Sequence, residues 1–191
     1  MRLRSDCDQI VRQAIAAVQP DAAVRRALSG RKLPPGRVIL VAVGKAAWSM
    51  AYTAYSCIGA RLSGGIVITK YGYSHGPIGN LRIREAGHPV PDEESFSATE
   101  EALALTEGLS KDDLVLFLLS GGGSALFEAP LVPQGELQDI TRQLLACGAD
   151  IVEINTIRKR LSAVKGGRFA KHCAPASVLS IVLSDILGDP L

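Results

Sequence analysis

The sequence predicts an α/β fold, a three-layer α/β/α sandwich around a mostly parallel, Rossmann-like sheet, and three observations carry that prediction. Short runs rich in Val, Ile and Leu, RVILVAV (37–43), GGIVITK (64–70), LVLFLL (114–119) and SVLSIVL (177–183), have the length and apolarity of buried strands. Segments of helical composition separate most of them, and strands that alternate with helices pair in parallel. Hydrophobic residues make up 47% of the chain but aromatics only 5%, so the core is built from small aliphatic side chains. The 191 residues suit one domain that removes roughly 70% of its unfolded surface from water.

In chain order, Ser5 or Asp6 caps a first helix with Ile10, Val11, Ala14, Ile15 and Val18 on one face, and Pro20 ends it. A second helix, 21–28, stops at Ser29 and Gly30. Pro34, Pro35 and Gly36 precede the first core strand, which runs into Gly44, Lys45 and a small-residue helix over 46–60. After the strand 64–70, LRIREAGH alternates apolar and polar residues as a half-exposed edge strand does. Asp92 caps a helix that runs to about Gly108. The strand 114–119 opens into Ser120, Gly121, Gly122, Gly123 and Ser124, a glycine loop, and a helix follows over 134–147. A basic helix, the pair Gly166 and Gly167, and another short helix lead to 177–183, expected as a last buried strand ending in SDILGD.

A net charge of +2 argues against a dedicated nucleic-acid or acidic-membrane binder. Cys7, Cys57, Cys147 and Cys173 have neither disulfide-framework nor zinc-ligand spacing, and are expected to be buried free thiols in a reducing compartment. The charged N-terminus lacks the apolar stretch of a signal peptide, and no run reaches membrane-spanning length. The chain reads as soluble and cytoplasmic.

Candidate chemistry gathers after the strands, because ligands of open parallel sheets bind beyond the carboxyl ends. Lys45 stands at a predicted helix N-terminus, where the macrodipole disfavours a cation unless an anion lies beside it; the alternative is an exposed lysine that snorkels away. Three successive glycines bare backbone N–H groups able to wrap an anion, and Ser120 and Ser124 add hydroxyl donors. Asn155, Arg158 and Lys159 share one helical face, with Lys165, Arg168 and Lys171 beyond them and only Glu153 close in sequence. Such a face suits phosphate or carboxylate, or is a solvated basic helix. Asp185 and Asp189 suit Mg²⁺, which needs one or two carboxylates when phosphates complete its shell; either also reads as a turn residue. His75 and His88 are acid–base candidates, and the GHPVPDE context gives His88 a structural role or at most a substrate contact. VAVGKAAW is no Walker A loop, and Leu126 in GGGSAL replaces the third glycine of a dinucleotide fingerprint.

VGKAAWSMA, GHPVPDE, SGGGSAL, EINTIRKRLSAVKGGRFA and LSDILGDP, in that order, resemble the N-terminal domain of the class II glycerate 2-kinases, the MOFRL family, some of whose members carry the label hydroxypyruvate reductase. The resemblance implies an α/β/α domain that faces a smaller C-terminal domain across a cleft holding ATP and D-glycerate. It implies transfer of the γ-phosphoryl of ATP to the 2-hydroxyl, giving 2-phosphoglycerate and ADP. Carried onto this chain, it makes Lys45 and Asp185 catalytic and gives Asp185 and Asp189 to Mg²⁺. Ser120, Gly121, Gly122, Gly123, Ser124, Asn155, Arg158 and Lys159 become the substrate- and phosphate-binding set. Family members are longer, so a truncated domain that lacks its MOFRL half, inactive or nearly so alone, is expected. Its uncovered apolar surface would favour a homodimer. Two rivals are an NAD(P)H-dependent hydroxypyruvate reductase and a non-catalytic ligand-binding module.

Overall fold

The structure is a computed structural model that describes residues 2–184. Five strands, β1 (Val38–Val43), β2 (Gly64–Lys70), β3 (Arg82–Ala86), β4 (Leu114–Ser120) and β5 (Ser177–Leu183), form one sheet in the order β3-β2-β1-β4-β5. Every neighbouring pair is parallel. The expected α/β/α sandwich is therefore present, with a sheet that is wholly parallel among the described residues.

β1 is central, and all six of its residues are buried. Val38, Leu40 and Ala42 enter one apolar cluster, while Ile39, Val41 and Val43 enter the other, as the two-residue period of a strand requires. β4 repeats the division, Leu114, Leu116 and Leu118 against Val115, Phe117 and Leu119. Each aliphatic side chain fully removed from water contributes about 1.5–3 kcal/mol, so these two strands dominate the core. The helices α1 (Arg2–Ala17), α2 (Pro20–Leu28) and α3 (Ala47–Ile58) come from the first third of the chain. α2 and α3 cover one face through Val24, Leu28, Met50, Ala51 and Ala54. On the other face lie α4 (Glu93–Leu105), with Ala98 and Ala102, the single turn α5 (Gly123–Leu126), and Phe169 further along the chain. Helices α6 (Gln134–Ala146), α7 (Ile151–Arg160) and α8 (Arg168–His172) fill the β4-to-β5 connection.

Four expectations need correction. α1 starts before Ser5, and its apolar face is not packed: Ile10, Val11, Ile15 and Val18 are all exposed. Among the described residues β5 pairs only with β4, so there it is an edge strand with Ser177, Ser180 and Val182 exposed, whereas Ile181 is buried. Gly123 and Ser124 begin α5 instead of extending the loop. Of the cysteines only Cys173 is buried; Cys7, Cys57 and Cys147 are surface thiols, on α1, on α3 and at the end of α6. No described helix is long and apolar enough to cross a membrane.

The amino ends of β1 and β4 are fastened by Asp113, 4% exposed. Its carboxylate accepts from the backbone N–H of Ser110 (2.7 Å) and of Arg37 (2.6 Å), and from the Arg37 guanidinium at 3.1 Å. Those two backbone donors, with the guanidinium, hold the carboxyl far below its usual range. A carboxyl depressed in the folded state stabilises above its unfolded pKa of 3.8, and that contribution is lost as pH falls through the folded value. Asp113→Asn should therefore lower the urea midpoint at neutral pH and flatten the loss of stability between about pH 4 and pH 2. Equal midpoints for variant and wild type at pH 7 would contradict this role.

Candidate functional site

The chain leaves β1 toward β2 and leaves β4 toward β5, so their following loops diverge and open a crevice at the carboxyl ends. Close backbone contact fixes the floor of that crevice. Gly44, at φ 120°, has no room for a side chain, since a Cβ there would lie 2.2 Å from Ser120 Oγ and 2.5 Å from Ser120 O. Ser120 Oγ accepts from Ala46 N–H at 3.0 Å and donates to Val43 O at 3.4 Å, while Lys45 N–H donates to Gly121 O at 2.9 Å. Thr69 on β2 joins in, donating its hydroxyl to Gly44 O at 3.0 Å. Ser120 is thus a buried tie between strand ends.

Gly122, left-handed at φ 85°, caps α5. A Cβ on it would lie 3.0 Å from His88 Nε2 and 3.3 Å from Lys45 Cε, so both side chains close over this one residue. Lys45 is exposed and precedes α3, whose first residue is Ala47. His88 lies beyond β3, in a segment tied by Asp92. The Asp92 carboxylate accepts from Gly87 N–H (3.0 Å), Ser95 N–H (2.9 Å) and Tyr71 Oη (2.8 Å), and Ser95 Oγ returns the capping bond to Asp92 N–H. The bond to Asp92 pushes the Tyr71 phenol up to about 12. Burial first, then the positive charges of Lys45, Lys70 and Arg158, push the His88 imidazole below its ordinary value, so it is neutral at neutral pH.

A cavity of about 450 Å³ lies beside this floor, lined by His88, Gly121 to Ser124, Asn155, Arg158 and Lys159. α7 presents the last three, and its capping box holds it: Asp150 accepts from Val152 and Glu153 N–H, each at 2.9 Å, and Glu153 accepts from Asp150 N–H. A second, apolar cavity of about 370 Å³ lies across Asn155 and Lys159, walled by Phe117, Phe127, Phe169 and Val178.

Beneath the glycine turn lies a buried charge trio. Glu128 is wholly buried; its Oε2 stands 2.6 Å from Lys165 Nζ and 3.6 Å from Arg158 Nη2. Arg158 Nη2 also donates to Ser124 O at 2.8 Å, and Lys165 Nζ donates to Phe127 O at 2.8 Å. Burial pulls the Lys165 amine down to about 8 against the opposing pull of Glu128. Arg158 is lowered by burial as well, but a guanidinium stays charged at any working pH. The trio locks α7 and the segment before α8 to the turn.

The chain matches, over residues 6–191, the family described as Domain of unknown function (DUF4147). It belongs to the DUF4147 family. It is 56% identical to the D-glycerate 2-kinase of Thermotoga maritima over 185 residues, 96% of this chain and 44% of that protein. The Glycerate 2-kinase of Pyrococcus horikoshii is 38% identical, over 96% of this chain and 43% of its own. The label hydroxypyruvate reductase is carried by a relative from Agrobacterium vitis, 42% identical over 92% of this chain and 40% of its own. A crystal structure of glycerate kinase from Thermotoga maritima superposes with a TM-score of 0.93 at 54% identity, covering 99% of this chain and 46% of that one. The chain spans less than half the length of each of these relatives.

Within this DUF4147 chain, the structure brings together most of the residues singled out by sequence. Gly121, Gly122, Gly123, Ser124, Asn155, Arg158 and Lys159 line one cavity with Ser120, and Lys45 reaches it over Gly122. Asp185 and Asp189 lie outside the described residues. Among the described residues no cluster of three or more His, Cys, Asp or Glu could hold a metal, and the lining of this cavity is cationic. Arg158 is not the solvated helix residue its charge run suggests, because Glu128, remote in sequence, pairs with it. Glu128 and the proximity of His88 were not visible in any local pattern.

Lys165→Met should leave the Glu128 carboxylate buried with a single, more distant partner, and the cost of breaking such a network is about 3–5 kcal/mol. Urea denaturation of the two proteins measures it. A loss under about 1 kcal/mol would mean that Lys165 is dispensable to the trio.

Proposed function

We propose that the protein transfers the γ-phosphoryl of ATP to the 2-hydroxyl of D-glycerate, giving 2-phosphoglycerate and ADP, and that this chain supplies one wall of an interdomain cleft. The observation that carries the reading is convergence. One cavity at the carboxyl ends of β4 and β5 is lined by the glycine turn and by Arg158 and Lys159, with Lys45, from the loop after β1, beside it over Gly122. A site with these cations and no described carboxylate in its lining suits the phosphates of ATP and the carboxylate of a small hydroxy acid. The relatives named glycerate 2-kinase support the substrate pair.

Phosphoryl transfer requires positioning and charge neutralisation more than covalent help. Lys45, exposed at the mouth, neutralises the γ-phosphoryl oxygens or the glycerate carboxylate, while Arg158, held by Glu128 and Ser124 O, provides a charge that needs no reorganisation. Asn155 and Lys159 complete the anion contacts from the same face of α7. Mg²⁺ would accompany ATP on Asp185, Asp189 and phosphate oxygens. The described residues alone do not make a metal site, and no step here runs through the ion.

The test is D-glycerate-dependent ADP release by the protein at its full natural length, with the product's phosphate position read by phosphorus NMR. Lys45→Met should cut kcat/KM by about 10²-fold or more with the fold unchanged. NADH consumption with hydroxypyruvate, and no ADP release, would establish the reductase instead. Binding of ATP or D-glycerate without turnover of either kind would establish the non-catalytic module.

A further inference from the structure

We propose that His88 is the general base of this transfer, taking the proton of the substrate hydroxyl; the proposal rests on the kinase reading above. The first ground is position. His88 lines the cavity and its Nε2 closes over Gly122 beside Lys45, where the glycine turn and the lysine meet. The second is the company it keeps. Among the described residues lining that cavity, the other ionisable side chains are Arg158 and Lys159, both cations, and none is a carboxylate. The third is support from outside the site, since the Asp92 carboxylate ties Gly87, Ser95 and Tyr71 together one residue before the histidine and just after it. A general base must be held within reach and must be unprotonated at the working pH.

Among the described residues, the charged groups that bear on His88 are Lys45 from the loop after β1, Lys70 at the end of β2, and Arg158 from α7. All three are positive, and together with burial they favour the neutral ring. Binding of ATP and the glycerate carboxylate would offset these charges and raise the ring's proton affinity where the proton is to be received. In the step itself, an oxygen lone pair of the 2-hydroxyl forms the bond to the γ-phosphorus, and the bond from that phosphorus to the β,γ-bridging oxygen breaks with its electron pair leaving on ADP. The hydroxyl proton passes to the free imidazole nitrogen and from the imidazolium to solvent after product leaves. Atoms and charge balance without any further reactant.

The experiment compares wild type with His88→Gln and Asp185→Asn in kcat, KM and the pH dependence of kcat/KM. The wild type should show an acid limb with a midpoint below 6.5. His88→Gln should lower kcat about 10²–10⁴-fold with little change in KM for ATP, and should lose the limb. Wild-type turnover with His88→Gln within threefold of it and the limb intact would overturn the proposal alone. So would loss of the limb in Asp185→Asn while His88→Gln keeps it. No ADP release by wild type would overturn the kinase reading and this proposal with it. Should His88→Gln fail to fold, nitrogen-15 NMR of the wild-type imidazole decides. Its midpoint should move upward when ATP and D-glycerate are added, and an unmoved midpoint at saturation would overturn the assignment.

Discussion

Everything at the site depends on how closely β1 and β4 approach where they end. The absence of a side chain at Gly44 lets the Ser120 hydroxyl bridge Val43 O and Ala46 N–H, and Lys45 N–H then meets Gly121 O. One glycine and one serine therefore set where a lysine leaves one loop and where a glycine turn leaves the other. Thr69 extends the same bonding to β2. A few neutral hydrogen bonds fix the crevice floor, while the charged Lys45 side chain stands above it. That separation matters because a floor without charge does not shift when an anion arrives.

Much of the fold was legible because local rules agreed with one another. GGIVITK gave the limits of β2 correctly, Asp92 capped α4 as its position before an apolar-periodic run implied, and every glycine-loop residue fell at the carboxyl end of β4 or just after it. α1 shows the limit of such reasoning. Periodicity identifies an apolar face but not what covers it, and nothing among the described residues packs on Ile10, Val11, Ile15 and Val18. β5 fails for a related reason, since an apolar run looks the same whether it has one neighbour or two.

The site was legible in its outline and not in its support. Lys45, the glycines and the basic face of α7 are runs or motifs, and each was visible at its own place in the chain. Glu128 is a lone acid after Ala125, Leu126 and Phe127, and its partners come from two later segments that only the tertiary fold delivers. His88 was judged from its proline-rich neighbours, which do fix its segment. Its burial and the cations around it, which come from three other elements, are what lower its proton affinity.

The buried trio has a bearing on temperature. Removing charges from water costs less as temperature rises, because their hydration is entropically unfavourable, whereas apolar burial gains little more on heating. Glu128, Arg158 and Lys165 therefore become less expensive to keep together as the protein is warmed, while the aliphatic packing around them does not improve to match. The share of the trio in holding the seat of the glycine turn should therefore grow as the protein is heated.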